Sequence, residues 1–178
     1  MNKHLLVTDA KNFRVDFEIN PYMHQIDQPD TELATAQHEA IMQAHRDAGR
    51  MLEYLPTVPG APDMVYVANS GLTRGNKVIL SLLPKERQPE TPHYHKWYQD
   101  HGWEVIEPPY LFSGQGDALP LGDNVIMGTG WRTDIRMHDF VAQQLGYNVI
   151  PIQTLSQEWY DCDLAVAILR KDLIAFCP

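Results

Sequence analysis

Gly75-Asn76-Lys77-Val78-Ile79-Leu80 has two echoes further along the chain: Gly122-Asp123-Asn124-Val125-Ile126-Met127 and Arg170-Lys171-Asp172-Leu173-Ile174-Ala175. Each is a polar turn that opens into a short β-branched strand. Before each turn stands another apolar run, Val65-Tyr66-Val67, Ala118-Leu119-Pro120-Leu121 and Leu164-Ala165-Val166-Ala167-Ile168, so each copy reads as a hairpin. Between copies lie a helix and one more strand, His101-Gly102-Trp103-Glu104-Val105-Ile106 in the first interval and Leu145-Gly146-Tyr147-Asn148-Val149-Ile150 in the second. The unit is β-β-α-β, with a period of 47 or 48 residues. One such unit cannot bury its own sheet face, so the copies are expected to pack radially or side by side, helices outside and sheets toward a shared axis.

The flanking segments follow the same reasoning. Residues 32–54 are rich in strong helix formers, with an apolar stripe of Leu33, Ala36, Ala40, Ile41, Ala44, Ala48, Met51 and Leu52, capped by Asp30 or Thr31. Thr91-Pro92 predicts a second helix running to Gly102, and a third runs from about Asp134 to Gly146. A leading strand is expected near Leu5-Leu6-Val7 and another around Thr57-Val58. The last hairpin reaches Cys177-Pro178 without a helix and strand after it, which predicts an unpaired sheet edge there.

Composition narrows the function classes. The 178 residues carry 14 Lys and Arg against 23 Asp and Glu, a formal charge of −9, with 44% apolar residues. That is one ordinary soluble domain, long enough to form a core without disulfides or a structural metal. Two cysteines, Cys162 and Cys177, make neither a disulfide framework nor a four-ligand zinc site. No Lys/Arg cluster offers a grip on nucleic acid or an anionic membrane, and no secretory signal or membrane span is visible, so the expected compartment is the cytoplasm. A cationic small molecule fits the charge.

Several residues invite sharper readings. Asp161 and Asp163 flank Cys162 and, with Asp117, could supply oxygen ligands to a hard metal, but acids at a turn beside a strand are the plainer reading. No metal or other cofactor is expected. Cys162 has no neighbouring His in sequence, and two adjacent carboxylates oppose thiolate formation. His93-Tyr94-His95 places its two rings on different faces of a helix start and reads as a surface pair. Gly114-Gln115-Gly116-Asp117 lacks the Lys and the helix of a phosphate loop and reads as a tight strand-entry turn. Phe13, Phe17, Tyr22, Trp97, Trp103, Trp131 and Trp159 read as packing residues.

Read in order, Asp16-Phe17-Glu18-Ile19-Asn20-Pro21-Tyr22-Met23, Asp63-Met64-Val65-Tyr66-Val67-Ala68-Asn69, Glu86-Arg87-Gln88-Pro89-Glu90, Gly114-Gln115-Gly116-Asp117-Ala118-Leu119, Gly130-Trp131-Arg132-Thr133-Asp134, and Tyr160 with Asp163 extend over nearly the whole chain. Together they resemble the pentein, or amidinotransferase-like, superfamily, which includes dimethylarginine dimethylaminohydrolase, arginine deiminase and the amidinotransferases. The resemblance implies an α/β propeller of β-β-α-β units. Here it would be incomplete, with about three to four of five blades, in a single domain over residues 1–178 that is truncated at its C-terminus. It also implies chemistry on the guanidino group of arginine-like substrates, in which a Cys thiolate attacks the central carbon and a His beside an acid moves protons.

Departures from the family pattern limit what the resemblance carries. Where the family has an acid before its Gly-x-Gly-Asp turn this chain has Ser113, and where it has the His this chain has Asp161. The family Cys falls in a last repeat not found in the sequence. Losing one member of such a unit already costs about 10⁴ to 10⁶ in turnover, so the expectation is a chain without the triad and without activity by that mechanism. The substrate side survives as Asp63, Asn69, Asp117 and Arg132. Asp63 would hold the cation or cap a strand after Pro62, and Arg132 would bind a carboxylate or pair with Asp134 or Asp139. Expected partners are an arginine-like or other cationic small molecule and, at the terminal sheet edge, a second copy or a completing chain. The alternatives are a non-catalytic binding or assembly protein and a hydrolase with rearranged catalytic residues built on Cys162.

Overall fold

A computed structural model describes residues 3–170 and 172–177, which fall into two compact units, Met1–Val67 and Ala68–Pro178. Lys171 in the third turn, Pro178 and the first two residues lie outside the described set.

The first unit pairs β1 (His4–Val7) with β2 (Met51–Tyr54) in parallel, joined through helix α1 (Thr31–Asp47). Asp30 caps α1, its carboxylate accepting from the Leu33 amide at 3.0 Å. The helix is shorter than the sequence pattern suggests. It ends at Asp47 because Gly49 follows in a left-handed conformation (φ 73°), and Met51 and Leu52 then belong to β2. The strand expected near Thr57 therefore forms earlier, and Thr57 instead bridges Asp9 Oδ1 and Asn12 Nδ2 with its hydroxyl. Of the apolar stripe, Leu33 and Ile41 are each 55% exposed.

The second unit contains the repeats. Strands β3 (Gly71–Arg74) and β4 (Lys77–Leu80) form a hairpin, helix α2 (Thr91–Asp100) follows, and β5 (Glu104–Ile106) returns to pair with β4 in parallel. The next copy repeats this arrangement with β6 (Ala118–Leu121), β7 (Asn124–Met127), α3 (Arg136–Leu145) and β8 (Asn148–Pro151). The third is the hairpin β9 (Val166–Arg170) and β10 (Leu173–Phe176), without a third strand among the described residues. The copies start at 71, 118 and 166, intervals of 47 and 48.

The entries to the first and third copies differ from the sequence reading; in the third, Leu164 ends the Cys162–Leu164 turn and β9 begins at Val166. Val65-Tyr66-Val67 is not a strand: Pro62–Val65 and Val67–Ser70 are two tight 3-10 turns, and β3 begins at Gly71. Pro62, with its fixed φ, opens the first turn, and the Tyr66 amide closes onto the Asp63 carbonyl at 2.9 Å.

The core runs through the first two copies. Leu72 and Ile79 pack with Ala118, Val125 and Met127 of the sheets and with Phe112 of the segment before β6, and Met137, Val141 and Leu145, four apart along α3, cover them. Each fully buried side chain of this kind is worth about 1.5–3 kcal/mol. α3 stops at Gly146, whose φ of 68° suits only a residue without a Cβ. Arg74 of the neighbouring hairpin reaches the Leu145 carbonyl at the helix end at 3.3 Å and lies 4.4 Å from the Tyr147 ring, a cation placed where the helix dipole favours one. No described helix is long and apolar enough to cross a membrane.

Candidate functional site

A short 3-10 turn leads into the first strand of every copy: Val67–Ser70 before β3, Gly114–Gly116 before β6 and Cys162–Leu164 before β9. Because the copies are equivalent, so are the turns, and the polar residues on them meet. Asn69 Nδ2, from the first turn, donates to Ser113 O at 2.9 Å and Ser113 Oγ at 3.0 Å, on the second. It also approaches Asp161 Oδ2, on the third, at 3.4 Å. Asp117, closing the second turn, accepts the Cys162 amide on Oδ1 at 2.8 Å. The Ser113 amide in turn donates to Thr133 Oγ1 at 3.2 Å.

The glycines leave room for this convergence. A side chain at Gly116 would collide with Asn69 Nδ2 and come within 2.9 Å of Asp161 Oδ2. One at Gly128 would lie 2.7 Å from Asp117 Oδ1.

Behind Asn69 stands a fully partnered ion pair. Arg87 donates through Nε and Nη2 to the two oxygens of Glu90, both at 2.8 Å, and through Nη1 to Asn69 Oδ1 at 2.8 Å. Tyr94 OH adds a third donor to Glu90 at 2.8 Å. Burial first, and Glu90 second, push the Tyr94 hydroxyl well above its ordinary pKa, so it remains a donor. With Asn69 Oδ1 held by Arg87, the amide can only turn its NH₂ toward Ser113 and Asp161.

The acids in front of Asn69 are in a different condition. Asp161 and Asp117 are 4% and 1% exposed. Loss of water and the nearby Asp161 charge push the Asp117 carboxyl up to about 7, against the lowering effect of Thr133, the Cys162 amide and Arg132. Asp161 is raised too, by burial, against Ser113, Arg132, Asn69 and Arg87. Its Oδ1 has no hydrogen-bond partner among the described residues. Asp163 is displaced upward by desolvation, Asp161 and Asp117, but the residue lies at the exposed rim, where solvent screens that effect. Cys162 is fully buried, and burial together with Asp117, Asp163 and Asp161 pushes its thiol up to about 12. It is therefore a neutral thiol. Arg132 stacks on Tyr160, 4.6 Å from the ring centre, on the residue preceding Asp161.

Of the residues singled out in the sequence, the second unit brings Asn69, Asp117, Arg132, Ser113 and Asp161 together. Asp63 belongs to the first unit, where it is buried in the Pro62–Val65 turn. Asp134, a suggested partner of Arg132, is bound instead by Arg136 through Nε at 2.9 Å and Nη2 at 2.6 Å, which holds its carboxyl down at about 2. Glu90, Tyr94 and Thr133 carry the surroundings of the site and were not legible as such. His138, buried on α3 with Nε2 3.2 Å from the Gly128 carbonyl, gave no signal either. Among the described residues no three His, Cys, Asp or Glu side chains are arranged to hold a metal ion.

This geometry can be set beside known proteins. No family model matches the chain. It is 33% identical over 173 residues to the N(G),N(G)-dimethylarginine dimethylaminohydrolase of Mycobacterium tuberculosis, across 97% of this chain and 57% of that protein. The crystal structure of the N-terminal domain of ArgZ, a cyanobacterial arginine dihydrolase bound to product, superposes with a TM-score of 0.91 at 28% identity, over 99% of this chain and 68% of that one. The chain shares the fold of these pentein, or amidinotransferase-like, proteins over nearly its whole length. A binary complex of an AgrE variant with L-arginine gives a TM-score of 0.93 at 28% identity, over 99% of this chain and 27% of the bifunctional AgrE chain. The chain thus spans little more than half the length of its dimethylaminohydrolase relative. Its pentein relatives act on arginine-like guanidino compounds.

Proposed function

We propose that the protein is a guanidino-binding pentein that holds an arginine-like cation without hydrolysing it through a Cys–His–acid triad. Residues 1–178 would form a single amidinotransferase-like domain in the cytoplasm, its repeated units acting as about three to four blades of an α/β propeller. Asn69, Asp117 and Arg132 of the second unit are the substrate-side residues of this reading, Ser113 and Asp161 replace the acid and the His, and Asp63 of the first unit stays an expectation of the resemblance.

The observation that carries it is the state of the converging turns. Asp161, with one oxygen lacking a partner among the described residues, is gathered there with Asp117, and the one thiol among them is a buried neutral group that cannot serve as a nucleophile near neutral pH. Carboxylates facing a planar cation suit binding, because a guanidinium offers paired donors to paired oxygens. A rearranged hydrolase built on Cys162 is disfavoured by the same thiol.

Incubation with L-arginine, methylated arginines and agmatine, assayed for citrulline and released amine, should give no turnover. Titration calorimetry with the same compounds should give binding. Turnover lost in Cys162→Ala would overturn the proposal. A second reading, assembly through the third hairpin, is favoured by its exposed apolar residues, with Leu169 at 47% and Phe176 at 64%. Light scattering that stays monomeric at high concentration would remove it.

A further inference from the structure

Helix α1 packs by the face that its sequence does not mark as apolar. Its buried or half-buried residues are Ala34, His38, Met42 and His45, spaced four, four and three along one side. The apolar stripe stands on the other side. Leu33, Ala36, Ala40, Ile41 and Ala44 are all exposed, Leu33 and Ile41 by 55% each. At about 100° per residue, the centre of this stripe points away from Met42, the residue that α1 buries. An amphipathic helix ordinarily turns its apolar stripe to its own core, so here that contact surface is left over for another molecule.

We propose that the outward face of α1 is a docking surface for a basic amphipathic helix of a partner protein. The face lies in the first unit, goes beyond the guanidino-binding reading and does not depend on it.

Shape and charge select that partner. Ala36, Ala40 and Ala44 recur every four residues and form a row of small side chains beside Leu33 and Ile41. Helices that interdigitate along rows of this spacing come as close as about 8 Å where the contacting residues are small. One border of the face runs through Glu32, Glu39 and Asp47. The one arginine of α1, Arg46, is already engaged with Glu39 and, through Nη1, with the Tyr54 hydroxyl at 3.1 Å. Asp47 accepts only a neutral donor from α1, Gln43 Nε2 at 2.7 Å. The border is therefore net negative and is complemented by lysine or arginine on the helix laid beside it. The same charges disfavour two other occupants. An anionic membrane surface would be repelled. A second copy, packed antiparallel about a two-fold axis, would set the acid border against itself.

The test is fluorescence anisotropy of the whole protein with a labelled peptide of about 18 residues, alanine and leucine along one helical face and lysine on both borders. One companion peptide carries glutamate in place of lysine, and another has the same composition scrambled so that no face survives. The lysine peptide should bind with a dissociation constant of about 10–100 μM, gain helix in circular dichroism, and weaken several-fold between about 50 and 300 mM salt. The two companions should bind at least about tenfold more weakly. Ala40→Arg, a strong helix former at an exposed position, should weaken the lysine peptide at least about tenfold, and Glu32→Lys about threefold. Leu33→Gln should weaken it about fivefold and carries the test if Ala40→Arg does not fold. Equal binding of the scrambled peptide, binding indifferent to these face variants, or no binding up to about 1 mM would overturn the proposal. Self-association in sedimentation velocity that Ala40→Arg abolishes would also overturn it, by assigning the face to a second copy.

Discussion

Two charged clusters lie side by side in the second unit, equally buried, separated only by Asn69. In one, Arg87, Glu90 and Tyr94 saturate each other with hydrogen bonds of 2.8 Å. In the other, Asp117 and Asp161 crowd two carboxyls together and leave one oxygen unused. The first cluster is finished within the chain itself, and such clusters build structure. The second keeps one buried carboxylate oxygen without a partner among the described residues, so the two clusters differ in how far their hydrogen bonds are met.

The sharpest way to break the contrast is to damage the satisfied side. Arg87→Ala strands Glu90 as an uncompensated buried carboxylate and should cost about 3–5 kcal/mol in urea unfolding, whereas replacing Arg87 with Met and Glu90 with Leu together should cost far less. If the single and double replacements are equally harmful, the pair is not the unit that its geometry describes. Next comes the thiol held among the acids. At pH 8 a thiol titrating at about 12 is roughly 10⁻⁴ thiolate, so Cys162 should alkylate about 10³-fold more slowly than the exposed Cys177, read by mass spectrometry of the labelled peptides.

A third change presses the two clusters into one another. Gly116→Ala puts a methyl against Asn69 and Asp161 and should destabilise by about 1–3 kcal/mol, with weakened ligand binding, in parallel melting and calorimetry experiments. The smallest effect is the most diagnostic. The folded acid pair holds protons more tightly than the unfolded chain, so stability should fall as pH rises from about 4 to about 7 and then level off. Asp161→Asn should therefore gain about 1–2 kcal/mol at pH 8 and almost nothing at pH 5. A variant equally stabilised at both pH values would mean that charge repulsion is not the cause.

How much of this was legible in the sequence depends on the range of the interaction. The repeat was visible because hairpins and helices are local, and turn-plus-strand wording recurs at a fixed interval whatever surrounds it. Gly146 as a stop and Asp30 as a cap were visible for the same reason. The two tight turns over residues 62–70 were misread as a strand, because Val65 and Val67 carry strand propensity that Pro62 and the Asp63–Tyr66 bond override. Of the site, the turn residues Asn69, Ser113, Asp117 and Asp161 could be named individually. That Arg87 would fix the rotation of Asn69, or that the Cys162 amide would clasp Asp117, could not. Those contacts join positions 18 and 45 residues apart, and no local pattern encodes them.

The hairpin β9–β10 has a practical consequence. In the two preceding copies, β4 and β7 each accept a third strand running in the same direction as themselves. β10 pairs with β9 in an antiparallel hairpin like β3–β4 and β6–β7, and its Phe176 is exposed. Such a border has a polarity as well as an appetite: an adder of the opposite sense would match the backbone but misplace its side chains. A strand laid against β10 in the parallel sense would repeat the arrangement of the first two copies.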